Sequence, residues 1–275
     1  MARTKRWNLE RTENGLWEVR LSSWKYFHDY IRQQMLNYSH YVWRGQADAG
    51  WKLKSSLDRR LQFTPQRQRG SKASAHLEKF KYASRGRRNV YAPKDLSEND
   101  WWALGQHNGL ATPLLDWSES PFVSLYFAFE QPVSSDIKYR AVWALSNMDR
   151  ANTEIEKSHR KEYENSKNTL LTSGLGKPKA PTLDFVRPLQ DDNARLVNQN
   201  GLFTRAPIGQ TVEDWVASTH AESKDGYLIK LLIPNKDRGN CLRTLNNMNI
   251  NNNTLFPDLY GAGKHCNMSL EISGL

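Results

Sequence analysis

Hydrophobic positions recur along this chain at two spacings. Trp24, Phe27, Ile31 and Met35 fall on one helical face behind a capping Ser22 or Ser23. Leu242 and Leu245 do the same within a helix predicted over 239–248, which the Asn-rich run 246–253 should end in a turn. Extended segments are predicted at 41–44, 140–145, 183–186, 202–205 and 227–233. Residues 45–50 read as a turn, and 51–57 as extended or short helical chain. Thr211 with Asp214 fits a capping box. Pro257 suits the first turn of a last helix starting at Phe256. Residues 149–167 form a highly charged, exposed helix leading into a loop over 173–181. Strands and helices mix without regular βαβ alternation and without an internal repeat. The prediction is α+β: a single mixed domain over 1–275, with a central, mainly antiparallel sheet flanked by helices.

One stretch, Trp101 to Phe129, concentrates the chemistry. Asn99 or Asp100 caps a short helix reaching His107, and Gly109 fits the position just beyond its end. A polar loop carrying Thr112, Asp116, Trp117 and Ser118 follows. It runs into a helix capped by Ser118 or Ser120, with Pro121 in its first turn. That helix is apolar on every side, which predicts burial. A polar loop on the end of a buried helix holds side chains rigidly.

Composition narrows the possibilities. The 275 residues include ten Trp, and 38% are hydrophobic, enough for a substantial core. No run of eighteen apolar residues occurs, so no membrane association is expected. The basic N-terminal stretch has no apolar core of a signal peptide. Cys241 and Cys266 form neither a CxxC pair nor a zinc spacing, which points to a reducing compartment, a cytoplasm. No metal site is expected.

The net charge is +10, and it is concentrated. Thirteen Lys and Arg lie between Lys52 and Lys94, against Asp58 and Glu78. This basic insert, about 58–94, has a central polar helix over 72–85 with Leu77, Phe80 and Tyr82 partly inward. It reads either as a solvated insert or as a surface for nucleic acid or another acidic macromolecule, with Arg85, Arg87 and Arg88 as candidate contacts.

Four blocks resemble the FRG domain family, named for an aromatic-Arg-Gly motif. Here that motif is Trp43-Arg44-Gly45. The others are the stretch Ala103 to Phe129, the run Asn193 to Phe203, and Leu255 to Gly261. Family members usually carry Pro where this chain has Ala111 and often Arg where it has Pro113. The resemblance implies an intracellular bacterial or phage-associated protein, a toxin or an effector in anti-phage defence, with a regulatory protein partner among its expected contacts.

The layout of the blocks is similar to that of ADP-ribosyltransferases. Arg44 would hold the phosphates of NAD, the implied cofactor, and Gly45 would let the ligand approach the backbone. Trp117, Tyr126 and Phe203 would form an aromatic wall for nicotinamide. Gln199, Asp116 or His107 would orient the ribose, and Gln199 or Asp258 would stand for the third motif. Thr112 and Ser118 complete the candidate pocket. Two alternatives stay open. A nuclease would use His107, Asp116 and Asp258, with or without a divalent metal, and the basic insert as a track. A non-enzymatic recognition module would use the insert alone, leaving Arg44 as a structural partner of Asp116 or Asp258.

Overall fold

The computed structural model describes residues 5–35, 41–87, 95–167, 180–188 and 194–275. Eight strands form one sheet among these residues: β1 (Trp7–Glu13), β2 (Leu16–Leu21), β3 (Val42–Gln46), β4 (Leu114–Ser118), β5 (Tyr139–Leu145), β6 (Asp184–Val186), β7 (Gly201–Arg205) and β8 (Leu228–Pro234). Their order is β1-β2-β8-β5-β3-β4-β7-β6, and every neighbouring pair is antiparallel except β2 with β8. The helices are α1 (Phe27–Tyr30), α2 (Ser56–Arg60), α3 (Gln66–Ala83), α4 (Glu98–His107), α5 (Pro121–Glu130), α6 (Asp149–Lys167), α7 (Ala194–Asn198), α8 (Val212–Thr219), α9 (Arg238–Asn247), α10 (Asn252–Leu255) and α11 (Leu259–Glu271). The class is α+β, as the mixed periodicities predict.

Central strands are covered on both faces, so they are apolar at successive positions rather than alternately. On β5, Val142 and Ala144 join a core with α5 and α9, while Ala141, Trp143 and Leu145 join a second core with Trp215 and Val216 of α8. A third core packs Leu57, Ala73, Leu77 and Trp102 from α2, α3 and α4 onto Leu114, Val186 and Phe203. The basic segment is thus anchored by Ala73 and Leu77 rather than loosely appended. Its Tyr82, expected partly inward, is exposed.

Several expectations shift. Residues 7–15, for which no strand was expected, form the first half of a hairpin. Asn14 (φ 51°) and Gly15 (φ 73°) make its two-residue turn, the conformation that matches strand twist. The polar loop before α5 is partly a strand. Leu114 to Ser118 pair along their whole length with β7, because Leu115 and Trp117 find the second core while Asp116 stays exposed. Strand β3 runs on through Gly45 and Gln46, where a turn was expected. Ser97, not Asn99 or Asp100, caps α4, with Asp100 as its reciprocal partner. Ser120 caps α5, and Asp258 caps the last helix, which starts after Pro257. The loop expected over 173–181 lies mostly outside the described residues.

Gly45 is the tightest point between sheet and helix. A Cβ there would stand 2.0 Å from the Ser124 carbonyl oxygen and 2.5 Å from the Ala128 nitrogen. The glycine is needed because α5 lies directly on β3, whatever approaches from the other side. Gly45→Ala is therefore expected to destabilise the protein by about 1–3 kcal/mol, the range for overpacking a filled site. Urea denaturation checks this, and an unchanged midpoint would mean that α5 is free to lift off β3.

Candidate functional site

The sheet is incompletely joined at its middle. β3 and β4 share one register pair, Trp43 opposite Ser118. Beyond it, Arg44, Gly45 and Gln46 pair only with β5, and Leu114 to Trp117 only with β7. A cleft of about 810 Å³ opens at this seam, lined by both strands, α5, Gln199, Phe256 and the segment after β3. Its size falls within the range of small-molecule sites.

Arg44 spans the seam. Its Nη1 donates to the Asp116 carbonyl oxygen at 2.6 Å and lies 3.6 Å from the Asp116 carboxylate. Burial pushes its pKa below the ordinary arginine value; Asp116 opposes that shift and nearby Arg59 adds to it. The buried Nε has no hydrogen-bond partner. Arg44 is thus committed to Asp116 on one edge and retains donor capacity on another. Both the ion pair with Asp116 and the cleft that was its alternative are present. Asp258 is not a partner: it is bound to Arg195.

Two further groups make the cleft polar. Ser124 Oγ, on the α5 wall, is buried and unpartnered. Glu130, at the end of α5, lines the cleft and accepts from Lys264 Nζ at 2.8 Å. Burial works most strongly against the Lys264 charge, but the hydrogen bonds and charges of Glu130 and Tyr260 together overcome it, so its pKa lies above the ordinary lysine value. The C-terminal carbonyls of α5 are taken by two arginines. Arg140 donates to Ala128 and Gln131, and Arg238 to Phe129 and Glu130. Burial, with the Arg238 charge, pushes Arg140 down to about 10. These bonds fix the helix end, and Glu130 with it.

At the mouth, Lys52, Lys54 and Arg59 line the cleft beside half-exposed Trp51. Both Glu213 carboxylate oxygens accept from the Leu53 N–H, fixing this segment, and burial pushes the Glu213 pKa up. Arg59 Nη1 donates to the Lys54 carbonyl at 2.6 Å.

Of the residues the sequence singled out, Arg44, Gly45, Asp116, Trp117, Ser118 and Gln199 line the cleft. Gln199 donates to the Leu255 carbonyl and its own carbonyl accepts from Ser118 Oγ at 2.6 Å, which ties β4 to α7 and α10. Five others lie elsewhere. His107 is the exposed last residue of α4; the neighbouring Gln106 turns inward instead and donates to Asp116 Oδ1 at 2.8 Å. Thr112 is fully buried, joining Ser56, Gln106 and Leu57. Tyr126 and Phe203 are core residues, and burial raises the Tyr126 pKa. Asp258 caps α11 through Gly261 and pairs with Arg195.

The nuclease set of His107, Asp116 and Asp258 is accordingly not brought together. Trp117 contributes no free ring, being buried with its Nε1 donating to Thr204. Besides the buried Trp43 and Trp117, the aromatic residues lining the cleft are Trp51, Phe127 and Phe256. Arg85, 4.7 Å from the Tyr82 ring centroid, and Arg87 are exposed and do not line the cleft, while Arg88 lies outside the described residues.

Residues 39–137 match the family model of the FRG domain. The chain carries an FRG domain. No curated protein and no solved structure matches the chain. The FRG stretch supplies Arg44, Asp116, Ser124 and Glu130, hence most of both cleft walls; Gln199 and Phe256 come from beyond it. Sequence reasoning missed Glu130, Ser124, Trp51 and Phe256. The one visible signal was Glu130, an acid ending an otherwise apolar helix. No helix among the described residues is long and apolar enough to cross a membrane.

The Gly261 N–H and Arg195 hold Asp258 below the usual carboxylate value. A depressed folded pKa contributes stability above the unfolded carboxylate range, lost as pH falls through the folded value. Asn caps helices as well as Asp, so Asp258→Asn removes charge while keeping a cap. The variant should be less stable than wild type at pH 7, and the gap should close below about pH 4. Urea midpoints across pH measure this; a gap of equal size at pH 7 and pH 2.5 would contradict it.

Proposed function

We propose that the cleft between β3 and β4 binds NAD and that the protein is an ADP-ribosyltransferase-like enzyme acting on a macromolecular target. The observation that carries the reading is Arg44, a half-buried cation that spans a parted sheet and lines a cavity of about 810 Å³. A planar, permanently charged fork in that position suits a pyrophosphate. We assign Ser124 Oγ and Gln199 Oε1 to the ribose hydroxyls, since the Gln199 Nε2 already donates to Leu255. Phe127 and Phe256 supply the apolar surface for a nicotinamide ring, in place of the buried Trp117, Tyr126 and Phe203.

NAD contributes one scissile bond, between ribose C1′ and the nicotinamide nitrogen, whose electron pair departs with neutral nicotinamide. The chain must then hold the phosphates, stabilise positive charge developing on the ribose, and accept a proton from the incoming nucleophile. We assign the first task to Arg44 and the other two to Glu130, whose carboxylate is fixed by Lys264. Asp116 balances the Arg44 charge. An effector role in phage conflict rests on the family resemblance alone.

Nicotinamide release from NAD by the purified chain tests the reading. Arg44→Ala and Glu130→Gln should each lower the rate by about 10²–10³-fold, the usual effect of removing one electrostatic contact to a transition state. Thermal melting shows whether each variant stays folded; Glu130→Gln keeps the shape of the Lys264 contact. A folded wild-type protein that neither binds NAD nor releases nicotinamide from it would overturn the proposal.

A further inference from the structure

The cleft mouth carries more positive charge than a dinucleotide needs. Arg44 alone faces the phosphates in the reading above. Lys52, Lys54 and Arg59 add three cations, and none has an ion-pair partner among the described residues. The two acids of the lining are engaged: Asp116 with Arg44 and Gln106, Glu130 with Lys264. The surplus therefore faces outward, toward a second ligand.

The charge continues past the cleft. From Trp51 to Leu77 the sequence has one acid, Asp58. It is buried, accepting from the Gly209 N–H and from Ser55. The exposed face of this segment is therefore cationic throughout, with Arg60, Arg67 and Lys72 following Arg59. α3, eighteen residues long, spans about 27 Å at 1.5 Å per residue.

Aromatic rings interrupt this face and are left in solvent. Trp51 is 51% exposed and Phe63, in the turn between α2 and α3, is 91% exposed. Phe63 is four residues beyond Arg59, within about 14 Å of chain reach. Exposed rings spaced among unpaired cations suit a polymer with phosphates and free base faces. An acidic peptide would use the cations and leave the rings idle. A duplex keeps its base faces stacked and offers them no partner.

We infer that a single-stranded nucleic acid binds along Trp51, Lys52, Lys54, Arg59 and Phe63, running from the α2–α3 face to the cleft mouth. Binding of the strand stands independently of NAD chemistry. That the bound strand is the acceptor of the transfer rests on the proposed activity of the cleft.

The test is fluorescence anisotropy of a labelled single-stranded 20-mer with the full chain, over a salt series. A matched duplex and polyglutamate serve as competitors. The single strand should bind, and neither competitor should displace it at equal charge. Replacing Lys52, Lys54 and Arg59 together with Ala should weaken binding and reduce the slope of log K against log salt by about 2, at about 0.7 per lost phosphate contact. Trp51→Ala with Phe63→Ala should weaken binding by about 5- to 160-fold per stacked base, with the salt slope unchanged.

Absence of binding, equal displacement by polyglutamate or duplex, or indifference to both sets of substitutions would overturn the inference. Nicotinamide release measured with and without the strand separates the two proposals. Strand binding without any turnover sinks the enzyme reading alone, and turnover without strand binding sinks this one alone.

Discussion

One hydrogen bond holds the two halves of the sheet in register where the backbone ladder stops. Arg44 Nη1 reaches the Asp116 carbonyl across the seam between β3 and β4. The sheet is otherwise two blocks, β1-β2-β8-β5-β3 and β4-β7-β6, joined by the single pair of Trp43 and Ser118. A side chain that substitutes for a ladder bond leaves space that a neighbouring strand would fill. The cleft is that space. A hydrogen bond to a charged donor contributes about 1.5–3 kcal/mol, enough to fix Arg44 while its remaining donors stay available.

The rest of the structure keeps the seam from closing or widening. α5 is clamped onto β3 by the absence of a side chain at Gly45, and its last carbonyls are held by Arg140 and Arg238. On the other side, Ser118 Oγ bonds the Gln199 carbonyl and Gln199 bonds Leu255, so β4 is tied to α7 and α10. Glu213 holds the Leu53 N–H and with it the cationic segment at the mouth. Each contact comes from a different part of the chain, so the cleft depends on the complete fold. The FRG stretch alone would leave out Gln199, Glu213, Leu255 and Phe256.

Much of this was legible in the sequence, and the misses have physical causes. Helical spacing found the Trp24 to Met35 turn, the capping box at Thr211 and Asp214, and the buried α5. Arg44, Asp116 and Gln199 were singled out through the family blocks and the likeness to the transferase layout, and the fold places all three on one cleft. The N-terminal hairpin went unread although Asn14-Gly15 is a strong turn signal, because its outer strand is almost wholly exposed and lacks apolar alternation. His107 was nominated for its chemical type, but rotation about the α4 axis decides which side chain faces Asp116, and that one is Gln106. Tyr126 and Phe203 were assigned to a ligand when burial claims them for the core. Trp51 and Phe63 had no periodicity to mark them, and only their exposure in the fold reveals them.

The central claim is that the seam is a ligand site. Hydrogen–deuterium exchange of the full chain, with and without a carba analogue of NAD that cannot lose nicotinamide, tests it most directly. The account predicts slowed exchange in residues 42–46 and 114–118 together, on both sides of the seam. Protection of neither strand at saturating analogue, or protection confined to a surface away from both, would contradict it.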